Sequence, residues 1–347
     1  MEILAPLRNS LRLLKKVLNA GADSVYFGVK PQSGKDNRYS LMWTPMEFDL
    51  ESALEAINIT ARAGRRSYIT LNVPYPQARF EAVFDLSCRL IEAGASALIV
   101  SDPGLMWRLK EEKPDAELHV SIFGRTVNSQ TAIFYKKLGA KKIILERALT
   151  IEEIKPIKER ADIDVEVFIY GNFCFFYHGG CRISSYFYGE QCIGPCTDEY
   201  QIESLPEAGN RPFRSKPLNG YGLLSDLYRA GVAAIKIEGR HKTDRYILDS
   251  LRVLRPAVDS LKQGRPLPRA LKNSGLFILP PESTEGFFTG PPVVGDTIDC
   301  EDSLAGRIRH FRTYFTFAGL LVALQMRKLK KEARRFESCH SNKQTSG

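Results

Sequence analysis

Four of the chain's seven cysteines fall within 23 residues, at Cys174, Cys181, Cys192 and Cys196. Four thiolates at such spacings can close around one soft metal centre. Structural zinc usually takes two close cysteine pairs, and only Cys192 and Cys196 approach that spacing. The wider, uneven intervals before them favour a 4Fe-4S cluster, because its four irons accept cysteines from separate loops. We therefore predict a 4Fe-4S cluster on these four cysteines, with zinc and unliganded thiols as the alternatives.

A second group of residues with catalytic chemistry lies just past the last predicted strand, at Glu238, Arg240 and His241. A planar guanidinium binds a carboxylate or phosphate through paired hydrogen bonds, so Arg240 is a candidate for fixing an anionic substrate. The alternative is a salt bridge that secures the closure of the fold. Glu146 and Arg147, at the end of another strand, allow the same two interpretations. We predict Glu238, Arg240 and His241 as the catalytic residues.

Short β-branched runs alternate with amphipathic stretches along most of the chain. The alternation predicts eight strands, each followed by a helix, at intervals of roughly 25–30 residues. The strands are expected at residues 2–5, 24–29, 67–72, 97–101, 118–122, 142–146, 165–170 and 234–238. The helices are expected at residues 9–19, 47–63, 80–93, 105–112, 129–138, from 150, at 222–230 and at 243–262. Eight such units favour an α/β fold of the (β/α)8, TIM-barrel-like type over a doubly wound open sheet.

The cysteine segment interrupts this pattern directly after the seventh strand, at the end of a barrel that carries active sites. We predict a barrel-like catalytic domain over residues 1–262, with a cysteine-rich insertion at 171–220. Residues 263–304 are rich in Pro and Gly and predict an irregular extension. Residues 305–347 predict a basic tail with one apolar helix.

The net charge of +9 is a property of the tail. Residues 305–347 hold ten Lys and Arg against two Asp and Glu, whereas residues 1–304 hold 39 against 38. The basic isoelectric point therefore does not by itself argue for a nucleic-acid-binding body.

The first residues and the apolar run near the end of the chain indicate its cellular location. The first residues lack a basic segment followed by an apolar one, so no secretory signal is expected and a cytoplasmic location is predicted. In a reducing compartment, clustered cysteines bind metal more often than they form disulfides. The apolar run 315–324 is too short to cross a bilayer, which needs about 20 apolar residues.

The sequence around the first two cysteines resembles the signature of peptidase family U-32, the collagenase-like proteins. The matching segment runs Glu166-Val-Phe-Ile-Tyr-Gly-Asn-Phe-Cys174, continues through Gly179-Gly-Cys181 and ends at Tyr186. Four other stretches that match begin at Glu2 (EILAP), Gly21 (GADSVYFG), Ile69 (ITLN) and Ile237 (IEGR). The resemblance covers about residues 1–290.

This resemblance implies an iron–sulfur protein, because several members of the family are iron–sulfur proteins that hydroxylate substrates without oxygen. Some members act in ubiquinone biosynthesis as a heterodimer, and others modify uridine or cytidine in tRNA or rRNA. The resemblance also implies that Cys174, Cys181, Cys192 and Cys196 ligate a 4Fe-4S cluster. The chain departs from the family after Pro6, where Leu-Arg replaces the usual Ala-Gly, and at Ser121-Ile-Phe in place of Ser-x-Gln. If those positions contact substrate in the family, this chain takes a different one.

We predict a 4Fe-4S enzyme for oxygen-independent hydroxylation of a small aromatic ubiquinone precursor or of an RNA base. The expected partners are a small-molecule or RNA substrate and, for a heterodimer, a related family member. One alternative is a collagenase-like peptidase, although the chain has neither a His-Glu-x-x-His zinc motif nor a Gly-x-Ser-x-Gly elbow. The other alternative is a non-catalytic iron–sulfur partner subunit.

Overall fold

Strands and helices alternate along the chain in the computed structural model, which describes residues 1–30, 46–174, 181, 199, 216–268 and 283–290. The described strands are β1 (Glu2–Pro6), β2 (Ser24–Gly28), β3 (Arg66–Leu71), β4 (Ala97–Val100), β5 (Leu118–Val120), β6 (Ala140–Ile144), β7 (Asp164–Gly171), β8 (Leu218–Asn219) and β9 (Ala234–Ile237). The described α-helices are α1 (Leu11–Asn19), α2 (Leu50–Arg62), α3 (Gln77–Glu92), α4 (Pro103–Glu112), α5 (Ser129–Lys137), α6 (Ile151–Ala161), α7 (Leu224–Arg229) and α8 (Asp244–Lys262).

Eight of these strands close into a parallel barrel. Strand β1 pairs with β2 on one side and with β9 on the other, and the order continues through β3, β4, β5, β6 and β7 back to β9. Every pairing in this ring is parallel, as the helices between successive strands require. The closed ring confirms the predicted (β/α)8 fold and excludes the open sheet.

Strand β8 was not predicted. Its two residues pair antiparallel with the end of β7, with Leu218 opposite Gly171 and Asn219 opposite Tyr170. A strand of this length is too short to give a periodic sequence signal. It brings the end of the cysteine-rich insertion back to the strand from which the insertion departs.

Helix α2 begins later than the predicted residue 47, because the chain caps it at Asp49. The Asp49 carboxylate accepts the backbone N–H of Ser52 at 2.8 Å, which satisfies one of the unpaired groups at the helix start. Glu47 is therefore left outside the helix and is fully buried. The capping box expected at Thr150 and Glu153 is present.

A buried ionic network fills the lower part of the barrel, at the amino ends of the strands. The Lys142 ammonium lies 2.6 Å from Glu2 Oε2, and the Tyr68 hydroxyl donates to Glu2 Oε1 at 2.6 Å. Strands β6, β1 and β3 are not neighbours in the ring, so these contacts cross the interior. Burial raises the pKa of Glu2, but the Lys142 charge and the hydrogen bonds hold it below its usual value.

One step higher in the barrel, the Lys236 ammonium lies 3.2 Å from Glu166 Oε1 and 4.0 Å from the centre of the Tyr26 ring. Burial lowers the pKa of Lys236, and Glu166 opposes that change. The interior is thus held by paired charges rather than by apolar layers alone, and its upper layer forms the floor of the barrel mouth.

The chain divides into two compact units, Met1–Pro292 and Val293–Gly347, and every described residue belongs to the first. No helix in the described ranges has the length and apolar character needed to cross a membrane. Cys192, Cys196 and the predicted apolar helix at 315–324 lie outside the described residues.

Candidate functional site

Three polar residues singled out in the sequence, together with Asn172, lie at the carboxyl ends of the strands. Arg147 follows β6, Asn172 follows β7, and Glu238 and Arg240 follow β9. These strands are consecutive in the ring, so their ends form one side of the barrel mouth. In (β/α)8 enzymes this end carries the active site.

Arg147 is buried, and described groups hold it on three sides. Its Nη2 lies 2.9 Å from Glu238 Oε2, its Nη1 donates to the backbone carbonyl of Asn172, and its guanidinium stacks 4.1 Å above the Phe168 ring. A guanidinium held by these three contacts has little freedom to bind a substrate. The internal ion pair, one of the two interpretations offered by the sequence, is therefore the one that the geometry favours.

Gly171 makes room for this arrangement. Its φ angle is +135°, a conformation that is open to glycine and very costly for other residues. A Cβ at this position would overlap Cβ of Glu238 and lie 2.7 Å from its Oε2. The backbone of β7 thus passes directly beneath the carboxylate that pairs with Arg147.

Asn172 joins the loop after β7 to the loop after β9. Lys242 Nζ donates to Asn172 Oδ1 at 2.9 Å, which leaves the amide nitrogen facing His241 Nε2 at 3.4 Å. An amide nitrogen can only donate, so Nε2 of His241 is the acceptor and the imidazole carries its proton on Nδ1. Burial lowers the pKa of His241, which favours the same neutral form.

Arg240 occupies the floor of the mouth. It is 5% exposed, and its Nη1 lies 3.2 Å from Thr70 Oγ1 and 3.8 Å from Glu47 Oε1. Gly28 leaves space for this pair, because a Cβ there would overlap Glu47 Oε1 and lie 3.1 Å from Arg240 Nη1. Arg240 therefore contacts side chains two and three places round the ring from β9, and its predicted catalytic role stays a prediction.

Two of the four predicted cluster ligands lie in the described part of the chain. Cys174 comes three residues after Gly171, and both Cys174 and Cys181 are partly buried. Within the described residues no three His, Cys, Asp or Glu side chains form a metal-binding group. A partly buried thiol at Cys174, just past the end of β7, fits the donor chemistry of an iron–sulfur cluster. The ligand set, with Cys192 and Cys196 outside the described residues, stays a prediction.

Sequence reasoning missed Glu47 and gave Asn172 no role. Glu47 belongs to no motif, and only the capping signal of Asp49 indicated that it lies outside α2. Ser121, named from the sequence, meets Asn72 on another side of the mouth, where Asn72 Nδ2 donates to Ser121 Oγ at 3.2 Å. Glu146 is buried beside Arg147.

Three curated proteins show what the chain is similar to. It is 27% identical over 342 residues to the tRNA hydroxylation protein P of Escherichia coli, covering 82% of this chain and 74% of that protein. It is 29% identical over 284 residues to an uncharacterized protease of Methanocaldococcus jannaschii, covering 76% of this chain and 66% of that one. It is 27% identical over 300 residues to the 23S rRNA 5-hydroxycytidine C2501 synthase of Escherichia coli, covering 84% of this chain and 44% of that protein.

The chain thus spans less than half of the rRNA synthase and about two thirds to three quarters of the other two relatives. The model of peptidase family U32 matches residues 9–296, which include every described strand and helix except β1. The barrel, its polar mouth and this match together identify the chain as a member of peptidase family U32.

Proposed function

We propose that this chain takes part in the hydroxylation of a base in RNA, at the carboxyl-end mouth of its barrel. The similarity to a tRNA hydroxylation protein over 82% of the chain supports this proposal most directly. The name of the rRNA hydroxycytidine synthase supports the same class of substrate. The small aromatic ubiquinone precursor has no comparable support among these relatives, so we favour RNA.

In the proposed reaction the base and an oxygen donor exchange a hydroxyl group for a hydrogen. A C–H bond of the base is replaced by a C–O bond, and the donor loses its hydroxyl and gains the hydrogen. The base is oxidised by two electrons and the donor is reduced by two, so no oxygen gas is required. When bound at the predicted cysteines, a 4Fe-4S cluster would supply redox or Lewis-acid activation of the oxygen donor.

The residues of the mouth have two tasks in this proposal. Arg147, Asn172 and Lys242 hold the start of the cysteine segment against the loop after β9. His241 is neutral with its proton on Nδ1, so it is suited to exchange a proton with a group bound in the mouth. Glu238, 25% exposed at its side chain and fixed by Arg147, supplies a carboxylate at the edge of the same space.

Nucleoside mass spectrometry tests the proposal. The chain is expressed in a bacterium that lacks its own tRNA hydroxylation protein, and digested tRNA and rRNA are compared with those of the empty strain. We expect a nucleoside heavier by one oxygen atom, absent with Cys174→Ser and present with the control Cys88→Ser. Cys88 lies on α3, away from the strand ends. Unchanged nucleosides in both RNAs, with soluble protein at normal levels, would contradict the proposal.

The name of the Methanocaldococcus relative favours a peptidase as the second candidate. A peptidase would cleave gelatin or unfolded protein, with no change in cellular nucleosides. Cleavage by the purified chain that persists in Cys174→Ser and Cys181→Ser would separate this activity from any cluster, because both substitutions remove predicted ligands.

A further inference from the structure

Two exposed aromatic side chains lie on neighbouring helices of the outer ring. Among the described residues the most exposed large apolar side chains are Trp107 on α4, at 62%, Phe134 on α5, at 49%, and Tyr228 on α7, at 36%. Large aromatic side chains on a protein surface often mark a binding partner. Trp107 and Phe134 are therefore a candidate contact surface.

The two helices are held in register by a direct contact. Lys110, three residues after Trp107, donates from Nζ to the backbone carbonyl of Lys137, three residues after Phe134, at 3.0 Å. Both helices run from the carboxyl ends of the strands towards the amino ends, so they are parallel to each other. Trp107 and Phe134, one turn before the contact, therefore lie at the same level of the barrel wall.

The chain around α5 is basic, although the body as a whole is neutral. Residues 118–145 contain five Lys and Arg and no Asp or Glu. Arg125, Lys136, Lys137 and Lys141 are exposed, and Lys136 pairs with Asp162. Lys137 has no ion-pair partner among the described residues and leaves positive charge on this surface, whereas Lys141 lines a cavity at the amino ends of the strands with Asp115, Glu117 and Asp164.

The basic surface starts at the mouth of the barrel. Arg125 follows the short 3-10 turn after β5, at the carboxyl end of the ring, and α5 continues from there down the wall to Lys137. The nine residues of α5 extend about 13 Å, which matches about four stacked bases. A strand of RNA with one base in the mouth can therefore follow this helix.

We propose that Trp107, Phe134 and Lys137 form a contact surface for the RNA next to the modified base. Exposed aromatic rings stack on bases and lysines pair with phosphates, a combination typical of proteins that bind single-stranded RNA. A second copy of this chain fits the surface less well, because its lysines would repel their own counterparts. The inference rests on the proposed function and extends it by naming where the substrate outside the mouth is held.

Binding of unfractionated bacterial tRNA to the full chain, purified without oxygen, tests this surface. Fluorescence anisotropy with labelled tRNA compares the wild type, the double variant Trp107→Ala/Phe134→Ala and the control Tyr228→Ala. We expect the double variant to bind at least about tenfold more weakly, because each lost stack weakens binding several-fold. Tyr228→Ala, on a helix two positions from α5 and three from α4 round the ring, is expected to bind like the wild type.

A salt titration separates the contribution of the lysine charge to tRNA binding from that of the aromatic rings. Lys137→Gln is expected to reduce the slope of log K against log salt by about 1, the loss of one phosphate contact. The control Arg252→Gln, 70% exposed at its side chain on α8, is expected to leave the slope unchanged. Equal slopes and affinities for all variants would overturn the proposed surface.

The remaining outcomes distinguish this surface from the proposed function. If the wild type and all variants bind tRNA equally and nucleosides are hydroxylated, the surface is wrong and the proposed function stands. If the wild type binds no tRNA, the surface is wrong, and the nucleoside measurement alone decides the function. A wild-type dimer that Trp107→Ala/Phe134→Ala converts to a monomer, with unchanged tRNA affinity, would show that a second copy covers this face.

Discussion

Arg147 and Glu238 form an ion pair that spans strand β7 at the mouth of the barrel, with Nη2 and Oε2 2.9 Å apart. Arg147 follows β6 and Glu238 follows β9, and the strand between them ends at Gly171 beneath the pair. The pair therefore holds the ends of three consecutive strands together at the point where the cysteine segment begins.

Removal of Arg147 should weaken the fold and the site together. Arg147→Ala leaves Glu238 and the Asn172 carbonyl without their charged partner, so we expect the free energy of unfolding to fall by about 2–3 kcal/mol in urea titrations. Arg245→Ala removes an arginine that is 90% exposed and paired with Asp249. This substitution should change the free energy of unfolding by less than about 0.5 kcal/mol. Equal effects of the two substitutions would contradict this role of Arg147.

A methyl group at Gly171 should be poorly tolerated. Gly171→Ala combines a φ of +135° with overlap against Glu238, and we expect a loss of at least about 2 kcal/mol in the free energy of unfolding. Gly64 has a φ of +65° and open space around it, so Gly64→Ala should cost only about 1 kcal/mol. A smaller loss for Gly171→Ala than for Gly64→Ala would show that the strand end relaxes freely.

The buried imidazole of His119 should make stability depend on pH. Burial lowers the pKa of His119, whose Nε2 lies 2.7 Å from Glu117 while Nδ1 has no hydrogen-bond partner among the described residues. The unfolded chain binds a proton near pH 6.5, where the folded chain does not, so stability falls as pH drops below about 6.5. His119→Gln should flatten this part of the curve in urea titrations at a series of pH values.

Two other groups must be separated from His119 in that experiment. His241 also has a lowered pKa, so His241→Gln measures its share of the same pH window. Burial alone would raise the pKa of Glu117, but its hydrogen bonds and neighbouring charges hold it at about 2, so its contribution is lost only at lower pH, below about 4.5. An unchanged pH curve in His119→Gln would mean that His119 is not the titrating group.

The predicted cluster has a direct chemical test. Protein purified without oxygen is expected to be brown and to contain about four irons and four sulfides per chain. Cys174→Ser, Cys181→Ser, Cys192→Ser and Cys196→Ser should each reduce the iron content, and Cys88→Ser should not. One zinc and no colour would support the alternative metal, and no metal in the wild type would reject the cluster.

The eight barrel strands could be predicted from the sequence because each is a short buried run between turn signals. The contacts inside the barrel could not. Glu2 and Lys142 lie in strands that are not neighbours, and they meet only because the sheet closes. The period of a strand shows which residues share a face, but it does not show which residues lie opposite one another across a ring.

The candidate site could be predicted only in part for the same reason. Glu238, Arg240 and Arg147 follow strands, so their position at the mouth follows from the fold. The partner of Arg240, Glu47, comes from the segment after β2, two strands from β9 in the ring, and no spacing in the sequence links the two. Cys192 and Cys196, two of the four predicted cluster ligands, lie outside the described residues.

The short antiparallel pairing of β7 with β8 allows the chain between them to vary in length without changing the barrel. The chain leaves the barrel at Gly171 and returns at Leu218, directly opposite, so both ends of the insertion are fixed at one point of the wall. The entropy of closing such a loop rises only slowly with its length. Insertions of different length and chemistry can therefore replace one another at this point of the barrel while the eight strands keep their pairing.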